Sequence, residues 1–136
     1  MLRHALAVAL LFPVLTHAGL TQAASLKDYE LTRSLEKIAK QSSEGTPRAM
    51  NDDITDQGFS VEGHELINHL SVRDSHATQM RANPELVRRQ LSSSVCANQG
   101  FRNLMARGAV LRYEFSEYQS NRPVATERFR DADCER

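Results

Sequence analysis

The chain of 136 residues carries no net charge, its 17 lysines and arginines matching its 17 aspartates and glutamates. Such a balance gives no field to draw in a polyanion from a distance, which argues against a dedicated nucleic-acid binder. The apolar stretch from Ala5 to Leu15 falls short of the roughly 20 residues a membrane-spanning helix needs, and Pro13 interrupts it. There is no internal repeat and no low-complexity tract. Cysteine is scarce: Cys96 and Cys134 are the two the chain has, both far from the N-terminus.

What the N-terminus does have is the order of a secretory signal peptide: a basic tip at Arg3, the apolar stretch, then small residues. Small residues at the minus-three and minus-one positions allow cleavage after Ala23 or after Ala18, and the first is preferred. An uncleaved anchor is the competing reading, disfavoured by the short run and its proline. No cysteine stands beside either cleavage point, so no lipid anchor is expected. The expectation is a leader over residues 1–23 and a single domain over 24–136, periplasmic or secreted from a bacterium. In an oxidising compartment Cys96 and Cys134 should pair. That bond would close a loop of about 39 residues, worth on the order of 4 kcal/mol if the chain-entropy account holds.

Ser25 and Asp28 read as a capping box that opens a helix, on which Leu31, Leu35 and Ile38 share one face; Gly45 and Pro47 stop it. From Met50 to Val72 the pattern shortens to alternations around Phe59, Val61, Leu66, Leu70 and Val72, predicting a hairpin turning at Glu62 and Gly63, with a bulge at Gly58. Asn68 should share the leucine face, with Ile67 opposite. Asn83 and Pro84 open a second helix, placing Leu86, Val87, Leu91 and Val95 toward the core. Asn98 caps a short third one ending at Gly108. Ala109 to Tyr118 alternates as the clearest strand, QSNRP turns, and Val124 to Arg130 returns as the last. The fold class expected is α+β, order α-β-β-α-α-β-β: an antiparallel sheet of about four strands, helices packed on one face, one disulfide.

Chemistry-bearing patterns are thin. His64 and His69 are five apart, which fails the zincin spacing of four on one helical face. Ser92, Ser93 and Ser94 lack the Gly-x-Ser-x-Gly elbow, and Cys96 is better spent in a disulfide than as a catalytic thiol. Asp131, Asp133 and Glu135 have no EF-hand spacing and read as a solvated acidic tail. No catalytic residue, metal site or cofactor is therefore expected. Arg112, Arg128 and Arg130 fall at alternating positions of the last two strands and form a candidate interface for an acidic protein or glycan, which Glu114 would partly neutralise.

The stretch NPELVRRQLSSSVCANQGFRNLMARGAVLRYEF, followed by RFRDADC, resembles a family of small exported proteins described as quorum-sensing-regulated virulence factors. The likeness lies in a helix ending in cysteine, an arginine-bearing short helix, Gly-Ala before a tyrosine strand, and a final Asp-x-Asp-Cys. That family is similar in fold to the AspS-type pilotins of type II secretion, in which an α+β domain with an internal disulfide binds a helix of the secretin's C-terminal region. The resemblance implies a non-enzymatic binding module whose partner is another protein, as an amphipathic helix, and a role in virulence or secretion. One departure is plain: such pilotins are lipoproteins, and this chain has no acceptor cysteine. The alternatives are a periplasmic hydrolase using His64, His69 or the carboxylates, and a structural envelope protein.

Overall fold

A computed structural model describes residues 18–135, and the side chains of 25–135. The expected leader falls mostly outside these: residues 1–17 are not described, and 18–24 by backbone alone. Among the described residues no helix is long and apolar enough to cross a membrane.

Helix α1, Ala18–Ser42, starts earlier than Ser25, which therefore lies inside the helix and not at its cap; the preceding Ala-rich residues are good helix formers. Its stripe of Leu31, Leu35 and Ala39 is buried, and the helix stops three residues before Gly45, which takes φ +77. A two-residue strand β1, Arg48–Ala49, leads to the hairpin of β2, Ile54–Glu62, and β3, Glu65–Val72. The bulge is where Gly58 places it, the pairing shifting between Asp56 and Gly58. Next come α2, Asp74–Ala82, α3, Pro84–Ala97, and α4, Gln99–Ala106. Strand β4, Val110–Glu117, pairs with β5, Pro123–Phe129, and the chain closes in a 3-10 turn, Asp131–Cys134.

The sheet has five strands in the order β1-β2-β3-β4-β5, and it is mixed, not purely antiparallel. Strands β3 and β4 run parallel, Leu66 beside Leu111 and Leu70 beside Phe115, because the three helices between them carry the chain back to the end where β3 began. Helix α2 went unforeseen, since it buries only Ala77 and Met80. Leu86, expected in the core, is exposed on α3. Asn83 does not cap α3 with its side chain; its Nδ2 donates back to the Gln79 carbonyl at 3.2 Å, closing α2. Asn98 does cap α4, accepting from the Phe101 amide at 3.0 Å.

One face of the sheet takes the helices. Leu66, Leu111 and Phe129 pack with Leu31 and Leu35 of α1, Val95 of α3 and Leu104 of α4. A second cluster joins Leu70, Val72 and Phe115 to Ala77 and Met80 of α2. Leu91 and Tyr113 touch both. Cys96 and Cys134 are disulfide-bonded, with Cα atoms 5.4 Å apart, so the end of α3 is tied to the turn after β5. Arg88 of α3 supports the same junction: it donates to Glu127 at 2.7 Å, reaches Asp133 at 3.4 Å, and lies over the Phe129 ring at 4.6 Å. Asp133 also accepts from the Arg130 amide at 2.7 Å, so it belongs to a fastened turn and not to a solvated tail.

Candidate binding cleft

Between the two clusters the helices leave part of the sheet uncovered. The floor of the resulting cleft is Phe59 and Asn68 of the hairpin with Leu70, Tyr113 and Phe115; Leu91, Ser94 and Phe101 of α3 and α4 form one wall, and Ser42, Arg48, Met50 and Ile54 the other. Its volume is about 470 Å³. Strand alternation puts Phe59, Asn68 and Tyr113 on this face, because Phe59 pairs with Asn68 and Asn68 with Tyr113 across adjacent strands. Met50, 60 % exposed, stands at the rim, where a thioether can repack around whatever is bound.

Asp56 and Tyr113 bring polar groups into the floor. Asp56, buried by the bulge, accepts from the Gly58 amide at 2.9 Å and from Asn68 Nδ2 at 3.0 Å; Asn68 also donates to the Gly58 carbonyl at 3.3 Å. Tyr113 packs edge-on against Phe129, ring centroids 6.1 Å apart. Burial holds the Tyr113 phenol protonated, pushing its pKa up to about 12. The Ser43 hydroxyl fixes the edge of the floor, accepting from the Phe59 amide at 2.8 Å and donating to its carbonyl at 3.2 Å.

The opposite face of the sheet carries the arginines singled out from sequence. Arg112 and Arg128 are directly paired across β4 and β5. Arg112 is 12 % exposed: it donates to Glu65 at 2.7 Å, holds Glu114 through two of its nitrogens, and lies 3.5 Å from Glu62. Arg128 donates to the other oxygen of Glu65 at 2.9 Å. Burial by itself would raise the Glu65 pKa, but the hydrogen bonds from Arg112 and Arg128 outweigh it and hold the carboxyl below its ordinary 4.5. Arg130 lies beyond β5 at the start of the 3-10 turn and joins none of these pairs. The structure thus brings two of the three arginines together, inside a network of acids. Ile67 on this face is nevertheless buried, flanked in register by Ser60 and Arg112.

The histidines separate. His64, in the hairpin turn, lies 4.0 Å from Asp28, and His76 3.9 Å from Asp53. His69 sits on the open face with Nε2 2.7 Å from Ser60 Oγ and Nδ1 3.5 Å from Glu114. This line-up is incomplete as a relay: 3.5 Å is too long for the orienting hydrogen bond, and Glu114 is already committed to Arg112. The neighbouring depression, about 400 Å³, is lined by His69 and Glu114 but not by Ser60. Among the described residues no cluster of His, Cys, Asp or Glu could hold a metal ion.

Sequence reasoning named none of the cleft residues as a site. Their one shared signal was the alternation that turned Phe59, Asn68 and Tyr113 to the same side.

Residues 24–135 match the sequence profile of the family described as "putative quorum-sensing-regulated virulence factor". No curated protein sequence matches the chain. Among solved structures, the chain is similar to a "putative secreted protein" of Pseudomonas aeruginosa, with 64 % identity over 81 % of this chain and 97 % of that one, TM-score 0.79. It is also similar to the type 2 secretion system pilotin EpsS of Vibrio vulnificus, at 18 % identity over 82 % of this chain and 98 % of that one, TM-score 0.70. The type II secretion system pilotin AspS of Vibrio cholerae gives 18 % identity over 82 % and 99 %, TM-score 0.65. At 18 % the likeness to the pilotins is one of fold.

Proposed function

This chain belongs to the family described as "putative quorum-sensing-regulated virulence factor", and from that premise we propose that it is an exported, non-enzymatic module that grips another protein by an amphipathic helix and contributes to virulence or type II secretion. The observation that carries this reading is the cleft of about 470 Å³ between α1 with β1 on one side and α3 with α4 on the other. Its floor presents the side chains of Phe59, Tyr113, Phe115 and Leu70, so an apolar stripe on a ligand that satisfies its own backbone suits it. The pilotin-like fold supports a part in secretion, the similarity to a secreted protein supports export, and the choice of a helix follows the family resemblance drawn from the sequence. In this reading the leader, residues 1–23, is removed by cleavage after Ala23.

The test is photo-crosslinking in a producing bacterium. A crosslinking amino acid at Phe101 in the cleft wall should yield one discrete adduct with a second protein, whereas the same group at exposed Thr126 on the open face should yield none. Adducts from Thr126 alone would move the binding surface to the arginine face. Adducts from neither position would remove the protein-binding role.

A further inference from the structure

The cleft contains a charge that its apolar lining does not call for. Asp56 is 4 % exposed and lies in the lining with Arg48 as the one other charged group. Its Oδ1 is occupied by the Gly58 amide and by Asn68 Nδ2. Its Oδ2 has Arg48 at 3.7 Å, beyond hydrogen-bonding distance, and that guanidinium is 57 % exposed on the two-residue strand β1. Arg48 therefore screens the carboxylate without satisfying the oxygen.

A ligand that fills the cleft covers this oxygen, leaving Arg48 at 3.7 Å as its nearest cation. A carboxylate left buried without a donor is strongly unfavourable, and an acidic side chain brought against it more so. An ionised carboxylate can only accept, so the missing partner must be a donor, and a cationic donor recovers most in a site of low dielectric. Beyond its first turn a helix has its amides already bonded, so where the body of the helix crosses the cleft a side chain must supply the donor.

Resting on the cleft as the binding site, we propose that its ligand is a helix whose apolar stripe is interrupted by one lysine or arginine, and that Asp56 receives that residue. The basic side chain lies three or four positions from an apolar anchor, so that both meet the floor together. Specificity follows from the same oxygen: helices of equal apolarity with an acid or nothing at that position are rejected, because they cover Asp56 Oδ2 without bringing it a donor.

The experiment is selection from a display library of 18-residue helical peptides, randomised on one face, against the purified mature chain with its disulfide intact. Recovered binders should carry Lys or Arg flanked by leucine-like residues, and replacing that residue by Glu in a binder should weaken binding at least tenfold. The preference should vanish on the Asp56→Asn protein. Because that variant alters the bulge, the peptide-side exchange on unmodified protein stands as an independent measure. Binders blocked by Phe101→Arg yet indifferent to the Lys-to-Glu exchange overturn the role of Asp56 and leave the cleft reading in place. No binders at all, or binders that Phe101→Arg does not block, overturn the cleft reading and this inference with it.

Discussion

The guanidinium of Arg112 lies among Glu62, Glu65 and Glu114, and this arrangement decides what the open face can do. A cation enclosed by three acids projects little field toward a partner, and Arg112, with Arg128 on the same Glu65, ties β3, β4 and β5 together. The sequence gives Arg112 and Glu114 as neighbours on one face, but Glu65 is 47 residues from Arg112 in the chain, and only the parallel β3–β4 pairing brings them to 2.7 Å. Glu65 yields a signed pH prediction. Its carboxyl is held below 4.5 when folded, so its contribution is present above that value and is lost as the pH falls through the folded pKa. Glu65→Gln should lower stability by ~1 kcal/mol at neutral pH, the discount reflecting partial exposure. The two urea midpoints should draw together as the pH falls below 4.5 and meet below the folded pKa, and a difference that persisted once Glu65 is protonated would mean a packing defect. Tyr113 has the opposite sign. Its folded pKa of about 12 exceeds the ordinary 10.0, so stability is fully present below 10.0 and falls as the pH rises through about 12. Tyr113→Phe should abolish the highest-pH step of the ultraviolet phenolate titration while leaving the fold intact at neutral pH.

Elements were legible in proportion to how much of their pattern is local. Strand β4 announces itself because Leu111, Tyr113 and Phe115 alternate, and α4 because Asn98 and Gly108 bracket it. Helix α2 does not, since Ala77 and Met80 make too thin a stripe among polar residues, and β1 buries neither of its two residues. Parallel pairing of β3 with β4 leaves no mark in either strand; it follows from where three helices deliver the chain. The cleft is less legible still, because Met50, Phe59, Leu91, Phe101 and Tyr113 come from separate elements and each alone reads as ordinary core. The bulge at Gly58 is the exception, a local signal with a distant consequence. Gly58 takes φ +108, and a Cβ there would meet Thr46 Oγ1 at 3.1 Å and Ser43 Oγ at 3.2 Å. Gly58→Ala should therefore cost about 1–3 kcal/mol by backbone strain, and should also disturb the Ser43 contacts that join α1 to β2. Amide exchange would locate the effect: protection of the Phe59 amide should fall before that of the β4 amides. Uniform loss across the sheet would mean that the bulge has no special hold on α1.

Over the whole molecule the two cysteines and the proposed leader belong together. The Cys96–Cys134 bond fastens the helix that supplies the Leu91 and Ser94 wall of the cleft to the turn that ends the last strand, with Arg88 bridging beside it. The bond thus acts on the cleft through α3 as well as on the unfolded chain. Replacing both cysteines by alanine should lower stability by about 2–5 kcal/mol, and the loss should appear as a lower urea midpoint. It should also weaken the Phe101 crosslink more than a core substitution of equal cost on the far side of α1, because that helix wall loses its tie. Native material should carry Ala24 as its first residue and a mass lower by two hydrogens than the reduced chain. Cleavage there would remove the first residues of α1 and leave Ser25 next to the new terminus, where its hydroxyl could take the capping role that its spacing to Asp28 suggests. Protein produced without the leader in a reducing cytoplasm should lack the bond, show the lower midpoint, and regain the higher one on oxidation in the folded state. If the midpoint did not change on oxidation, the disulfide would be ornamental to stability, and the link from export to a competent cleft would fail.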